Sequence, residues 1–244
     1  MRHHEIDQYA KRSPLNRFDP RVKIVSTIIL IVAVAFLTDI VPLLLCIAFL
    51  LVLVAISKVP VKHLGKSYLL AFPFIVFASL AIFLSSGTDV ALGMFLRITD
   101  SVVALLLLVS TTPFFDLLKA LRWFRLPAIF SSLLLFTYRF IFVLLDEFER
   151  MKMARAARGF NGGGNIFQKE KLRTIAYTAG MVFVRSNIRA GNIYDALVSR
   201  GYDGEIRTLN RLRASPRDAG FASAFVGMSL VALLTQIGVI AWTL

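Results

Sequence analysis

Cysteine is almost missing from this 244-residue chain; Cys46, the only one, lies inside an apolar run. That excludes a disulfide framework and a thiolate metal site. Acidic residues are scarce as well, with 15 Asp and Glu against 28 Lys and Arg, a net charge of +13. The aspartates are scattered rather than clustered. A membrane-embedded lipid or prenyl transferase, which needs Asp-rich sites for a metal and a diphosphate, is therefore disfavoured. No G-x-x-x-x-G-K-[ST] phosphate loop is present. The run Gly162-Gly163-Gly164 is followed by Asn165, without a nearby Lys-Ser/Thr, and reads as a flexible turn. A strand followed by a Rossmann glycine pattern is missing too, and no apolar run alternates with period two, which excludes a β-barrel. The first 21 residues are polar, so no cleavable signal peptide is expected.

What the chain has is apolar sequence. Hydrophobic residues make up 57% and charged residues 18%, with a mean hydropathy of +0.71. Soluble domains carry about 45–50% and about 25%. Six long apolar runs occupy 22–37, 40–56, 68–84, 90–109, 126–145 and 219–244. A spanning helix needs about 20 mostly apolar residues. The first two runs lie back to back around Asp39 and Pro42 as a helical hairpin.

The positive-inside rule orients them. Arg2, Lys11, Arg12, Arg17, Arg21 and Lys23 precede the first run; Lys58, Lys62 and Lys66 follow the second; Lys119, Arg122 and Arg125 follow the fourth. The intervening turns carry only Asp39 and Asp89. The N-terminus is thus expected in the cytoplasm. If the fifth run crossed, residues 146–218, which hold 14 of the 28 basic residues, would lie outside. The expectation is therefore an all-α integral membrane protein with five spanning helices and a cytoplasmic block of long amphipathic helices. Its parts are an arm with four spanning helices over 1–112, the cytoplasmic or membrane-associated block over 113–218, and a last spanning helix over 219–244.

Within the block, Pro113 can open a short helix to about Trp123. From Ala128 to Arg158 there is neither Gly nor Pro, which predicts one helix of about 45 Å at 1.5 Å per residue. Its first half is apolar; its second carries Asp146, Glu147, Glu149, Arg150, Lys152, Arg155 and Arg158, read as a solvated charged face, with Asp146 and Arg150 in the favourable i,i+4 order. A second long helix is predicted over 168–200. Its apolar stripe is Leu172, Ile175, Ala179, Val182, Ile193 and Leu197, and Arg185, Arg189 and Asn192 form an adjacent polar stripe.

The two helices end alike. Ala157-Arg158-Gly159-Phe160-Asn161-Gly162 closes the first and Ser199-Arg200-Gly201-Tyr202-Asp203-Gly204 the second, 42 residues apart. Small residues permit close backbone approach, Gly permits a left-handed turn, and Arg presents a planar bidentate cation. One copy is ordinary helix capping. Two matched copies in a basic block point to docking on a partner with two related acidic-rimmed grooves.

These residues carry a resemblance. The chain resembles the transmembrane (T) component of energy-coupling-factor (ECF) transporters, closest to the CbiQ type of cobalt and nickel systems. Two Ala-Arg-Gly motifs on cytoplasmic coupling helices mark that family; Ala157-Arg158-Gly159 matches, and Ser199-Arg200-Gly201 departs only in Ser for Ala. Ile6-Asp7-Gln8-Tyr9-Ala10 and Asp19-Pro20-Arg21-Val22-Lys23 also look like the CbiQ type. The resemblance implies two ABC ATPase subunits on the cytoplasmic side that bind the helix ends, Arg158 and Arg200 pairing with acidic residues there. It implies a separate membrane subunit that binds cobalt or nickel, and a plasma-membrane location. This chain would itself hold no nucleotide, metal or cofactor, would contact membrane lipids but no nucleic acid, and would be no enzyme. The alternative is a stand-alone secondary transporter or channel.

Other polar residues read less specifically. His3 and His4 are adjacent, and adjacent residues rarely share one metal; His63 reads as structural. Arg97 and Asp100, three apart in the fourth run, are expected to neutralise each other or to contact the partner subunit. Arg139 is expected to face protein or to reach the headgroups.

Overall fold

The computed structural model describes residues 13–159, 169–204 and 216–237. His3 and His4 lie outside the described residues. A short 3-10 turn, Pro14–Arg17, leads into helices α1 (Pro20–Phe36), α2 (Ile40–Ser57), α3 (Val61–Ser86), α4 (Thr88–Thr111), α5 (Phe114–Trp123), α6 (Ala128–Ala157), α7 (Lys169–Val198) and α8 (Pro216–Gln236). No strand occurs among the described residues. The punctuation is the one expected from the sequence. Pro20 begins α1 behind the Asp19 cap, Lys58 takes a left-handed turn after α2, and Gly87, at φ +92°, separates α3 from α4.

Five of these helices are long and apolar enough to cross a membrane: α2, α3, α4, α6 and α8. The number matches the sequence expectation, but the set differs. At 17 residues α1 is shorter than the five. Conversely α6 qualifies on length and composition, because its first half is apolar; the expectation had set it aside on loop charge alone. The chain divides into two compact units, Met1–Phe124 with Asn210–Leu244, and Arg125–Leu209.

In the first unit α1 is central, packing on α4, α5 and α8, while α2 packs on α4 and α8 and α3 on α4. Leu30, Val34, Leu37, Leu43, Cys46, Leu50, Ala104, Leu107 and Phe225 form the core. Phe49 meets Phe225 edge-on at 5.3 Å, and Phe221 lies between Phe225 and Phe18. Among the described side chains of α3 only Leu64 and Ile75 are buried, while Leu70, Phe74, Phe77 and Leu84 are largely exposed, an apolar face for acyl chains or protein.

Polar groups are concentrated at the helix ends, where the last carbonyls and first amides lack partners inside their own helix. The Asp19 carboxylate accepts from Arg21 N–H at 2.9 Å, while the Asp19 N–H donates to Asp218 at the start of α8. The Lys23 Nζ, buried, donates to the Thr111 carbonyl at the end of α4 at 3.1 Å. Arg21 lies over the Trp123 ring of α5, 5.2 Å from its centre. The motif Asp19-Pro20-Arg21-Val22-Lys23 thereby ties α1 to α4, α5 and α8 at one end. At the other, Arg97 of α4 donates to the Leu37 carbonyl, and the Gln236 amide donates to Phe36 O and to Thr38 Oγ1.

The use of Arg97 corrects a sequence expectation. Arg97 and Asp100 do not neutralise each other. The arginine is drawn to the orphan carbonyl at the end of α1, and Asp100, buried, has no hydrogen-bond partner for either carboxyl oxygen.

Phe225→Ala should destabilise the chain by about 3–5 kcal/mol, the usual scale for emptying a buried ring site. Thermal unfolding in detergent measures it. A loss no larger than that of Phe74→Ala, on the exposed face of α3, would contradict this core.

Candidate functional site

The two helix tips lie in the second unit. Arg158 occupies the cap position of α6 and Gly159 follows at φ +81°, its N–H donating to Ala156 O at 3.0 Å. Arg200 has the same place after α7. Gly201, at φ +78°, donates to Val198 O at 2.9 Å, and Tyr202 N–H reaches back to Leu197 O at 3.0 Å. Those two bonds are a Schellman closure, which satisfies the last carbonyls and needs a residue tolerant of positive φ. The α6 tip shows the equivalent Gly bond; Phe160, Asn161 and Gly162 of its motif lie outside the described residues. Ala157, Arg158, Gly159, Ser199, Arg200 and Gly201 are all exposed. The Ser199 hydroxyl donates to Asp195 O at 2.8 Å, folding onto its own helix. The outer surface there stays as small as with alanine, which accounts for Ser in an Ala-Arg-Gly pattern.

The tips are not neighbours. Tyr202 packs edge-on against Phe136, near the start of α6, with ring centres 6.4 Å apart. The residues from Phe136 to Arg158 span about 33 Å of a single helix, so the arginines sit at opposite ends of the helix pair. Arg185 of α7 is ion-paired with Glu147 of α6. With Leu144, Ser186, Ile188, Arg189 and Asn192 they line a cleft of about 340 Å³ between the two helices.

This pair was missed by a reading that took Glu147 as part of a solvated face; its side chain is only 11% exposed. Asp146 and Arg150 form no ion pair, and Lys152 meets Glu149 instead. Arg139 is exposed.

The stripe on α7 also differs. Val182, Ile193 and Leu197 are partly covered as expected, but Leu172, Ile175 and Ala179 are exposed, and Thr178 is the buried residue of that half. The reason is local. Thr178 donates to Thr174 O at 2.7 Å and Ser186 to Val182 O at 2.6 Å, so these hydroxyls are satisfied within the helix and can face a packed side. The apolar side chains of Ile175, Phe183, Ile188 and Tyr194 remain exposed, a surface suited to other proteins or lipid. No group of three or more His, Cys, Asp or Glu that could hold a metal ion occurs among the described residues.

Comparison with known proteins gives the family. The CbiQ family, described as cobalt transport protein, matches residues 11–210. The chain belongs to the CbiQ family. It is 37% identical over 110 residues to the cobalt transport protein CbiQ of Rhodobacter capsulatus, covering 45% of this chain and 43% of that protein. It is 30% identical over 227 residues to the energy-coupling factor transporter transmembrane protein EcfT of Streptococcus equi, covering 82% of this chain and 84% of that protein. The EcfT of Ruminiclostridium cellulolyticum is 28% identical over 226 residues. This CbiQ-family chain is an all-α integral membrane protein, as its sequence predicts.

Both tips depend on positive φ at one glycine. Gly159→Ala and Gly201→Ala should each cost about 1–2 kcal/mol at the helix end. Faster hydrogen exchange of the last-turn amides is the expected reading, and unchanged exchange would show that the closures are not held by the glycines.

Proposed function

We propose that this chain is the energy-coupling transmembrane subunit of an ECF-type importer for cobalt or nickel ions. Arg158 and Arg200, with Ala157, Gly159, Ser199 and Gly201 around them, dock into acidic-rimmed surface grooves of two ABC ATPase subunits in the cytoplasm. Closure of the ATPases on ATP moves the tips. The rigid helices α6 and α7 pass that motion to a separate membrane subunit that binds the metal ion. The chain takes no part in ATP hydrolysis; its N-terminus and the tips of α6 and α7 face the cytoplasm of a plasma membrane. The observation that carries this reading is the pair of matched, exposed arginine caps at opposite ends of the α6–α7 pair, an arrangement suited to two ATPases rather than to one site. The planar guanidinium at a cap projects beyond the last turn and can meet a carboxylate with two parallel bonds. The Glu147–Arg185 pair, where the helices meet, would make movement of one tip felt by the other.

The test is co-purification. The tagged chain is expressed with its genomic neighbours and solubilised in mild detergent. A stoichiometric pair of ATPases is expected, reduced at least about tenfold when Arg158→Glu and Arg200→Glu are combined. Each single reversal should weaken docking without unfolding the chain. Normal ATPase recovery with the double variant would sink the docking role. A chain that purifies alone would favour a stand-alone transporter or channel.

A further inference from the structure

The cleft of about 340 Å³ between α6 and α7 is left without a task by the docking of the helix tips. Its polar wall is Arg185, Arg189 and Asn192, spaced i, i+4, i+7 along one stripe of α7. The Arg185 guanidinium is matched by Glu147 across the cleft. Arg189 and Asn192 are exposed and have no side-chain partner among the described residues. Two cations therefore stand against one carboxylate, which leaves one positive charge uncompensated beside an amide donor. The wall also holds Leu144 and Ile188, and Ile188 is 60% exposed. Ile141, one turn from Leu144 towards the apolar half of α6, is exposed as well.

The occupant must bring one negative charge with several acceptor oxygens, and an apolar stem long enough to cover Leu144 and Ile141. A free phosphate would satisfy the arginine and leave the apolar residues to water. An aspartate or glutamate of another chain has a stem of only one or two methylenes. A phospholipid meets both needs. Its phosphate accepts from the planar Arg189 guanidinium and from the Asn192 amide, and an acyl chain lies over Leu144 and Ile141. The single uncompensated charge selects an anionic lipid, because a choline or ethanolamine headgroup would bring a cation back into the cleft.

The surroundings agree with that chemistry. Leu144 belongs to the apolar half of α6 and Glu147 to the charged half that begins at Asp146, so the cleft sits where apolar sequence gives way to charge. Contacts of Tyr202 with Phe136 and of Arg185 with Glu147 make the two helices antiparallel. With both tips in the cytoplasm, as docking requires, the pair runs along the inner face of the bilayer and the cleft between the tips reaches its headgroups. That leaflet is the anionic one, and basic pockets between helices there are suited to lipid headgroups. We propose that Arg189 and Asn192, beside Arg185, form a binding site for one anionic phospholipid of the inner leaflet. The side of the membrane rests on the coupling reading; the lipid site itself does not.

The test uses the full chain, delipidated in mild detergent and titrated with dioleoyl phosphatidylglycerol or dioleoyl phosphatidylcholine while native mass spectrometry counts bound lipid. Phosphatidylglycerol is expected to bind at least about fivefold more tightly, the worth of one basic residue beside an anionic lipid. Arg189→Gln combined with Asn192→Ala should abolish that preference. Arg189→Lys should keep most of it, and Lys152→Gln, which removes an exposed cation outside the cleft, should leave it intact. Equal affinity for the two lipids in the wild-type chain would overturn the proposal, as would a preference that survives the double variant or falls equally with Lys152→Gln. Displacement of the lipid by inorganic phosphate at equal concentration would make this a site for free phosphate and overturn the lipid assignment. A double variant that keeps the preference but loses a membrane subunit from the co-expressed complex would assign the cleft to a protein instead. A double variant that melts below wild type, with Arg189→Lys equally poor in lipid, would make these residues structural and overturn the site too. A chain that shows the preference yet brings down no ATPase overturns the coupling reading and not this one.

Discussion

The Lys23 ammonium on the Thr111 carbonyl is the contact on which the membrane unit is organised. Where a helix end is buried from water, as Lys23 and Thr111 are, each orphan carbonyl or amide must find a partner inside the protein. Here the partners come from other helices. Lys23 of α1 closes the end of α4, Arg97 of α4 closes the end of α1, and Gln236 of α8 joins it there. This exchange makes α1 and α4 mutually dependent, and places the buried core of Leu30, Val34, Leu107 and Phe225 between two polar clamps. Carbon packing alone discriminates poorly between helix registers; a cation that must reach one particular carbonyl does so sharply.

The second unit follows different rules. Among the described residues its helices meet through the Arg185–Glu147 ion pair and the Tyr202–Phe136 aromatic contact, and they expose many apolar side chains. A helix pair with so little mutual burial owes its stability to surroundings. That fits a transmission element whose surfaces are meant for other chains, and it contrasts with the closed core around α1.

Much of this was legible in the sequence. Helix limits follow from Pro20, Gly87, Pro113, Gly159 and Gly201, because proline and glycine act on the backbone where they stand. The tips were legible for the same reason: a small–Arg–Gly ending dictates a cap and a left-handed turn locally. What was not legible depended on a second helix. The spacing of Arg97 and Asp100 describes one helix face, but the arginine answers to the carbonyl of Leu37, 60 residues away. Glu147 reads as solvent-facing until α7 is laid beside it. The stripe on α7 misled because apolar periodicity marks the inner face only when that face must be greasy, and Thr178 and Ser186 satisfy their own hydroxyls.

The closed hydrogen bonding of the α7 tip bears on the docking proposed for it. Gly201 and Tyr202 have already returned their amides to Val198 and Leu197. A partner that grips Arg200 therefore meets a finished helix end and need not order main chain on arrival or release it on departure. Association of that kind loses little conformational entropy at each step. A joint gripped and loosened once per catalytic cycle would thus act more like a ball seated in a socket than like a segment that refolds each time.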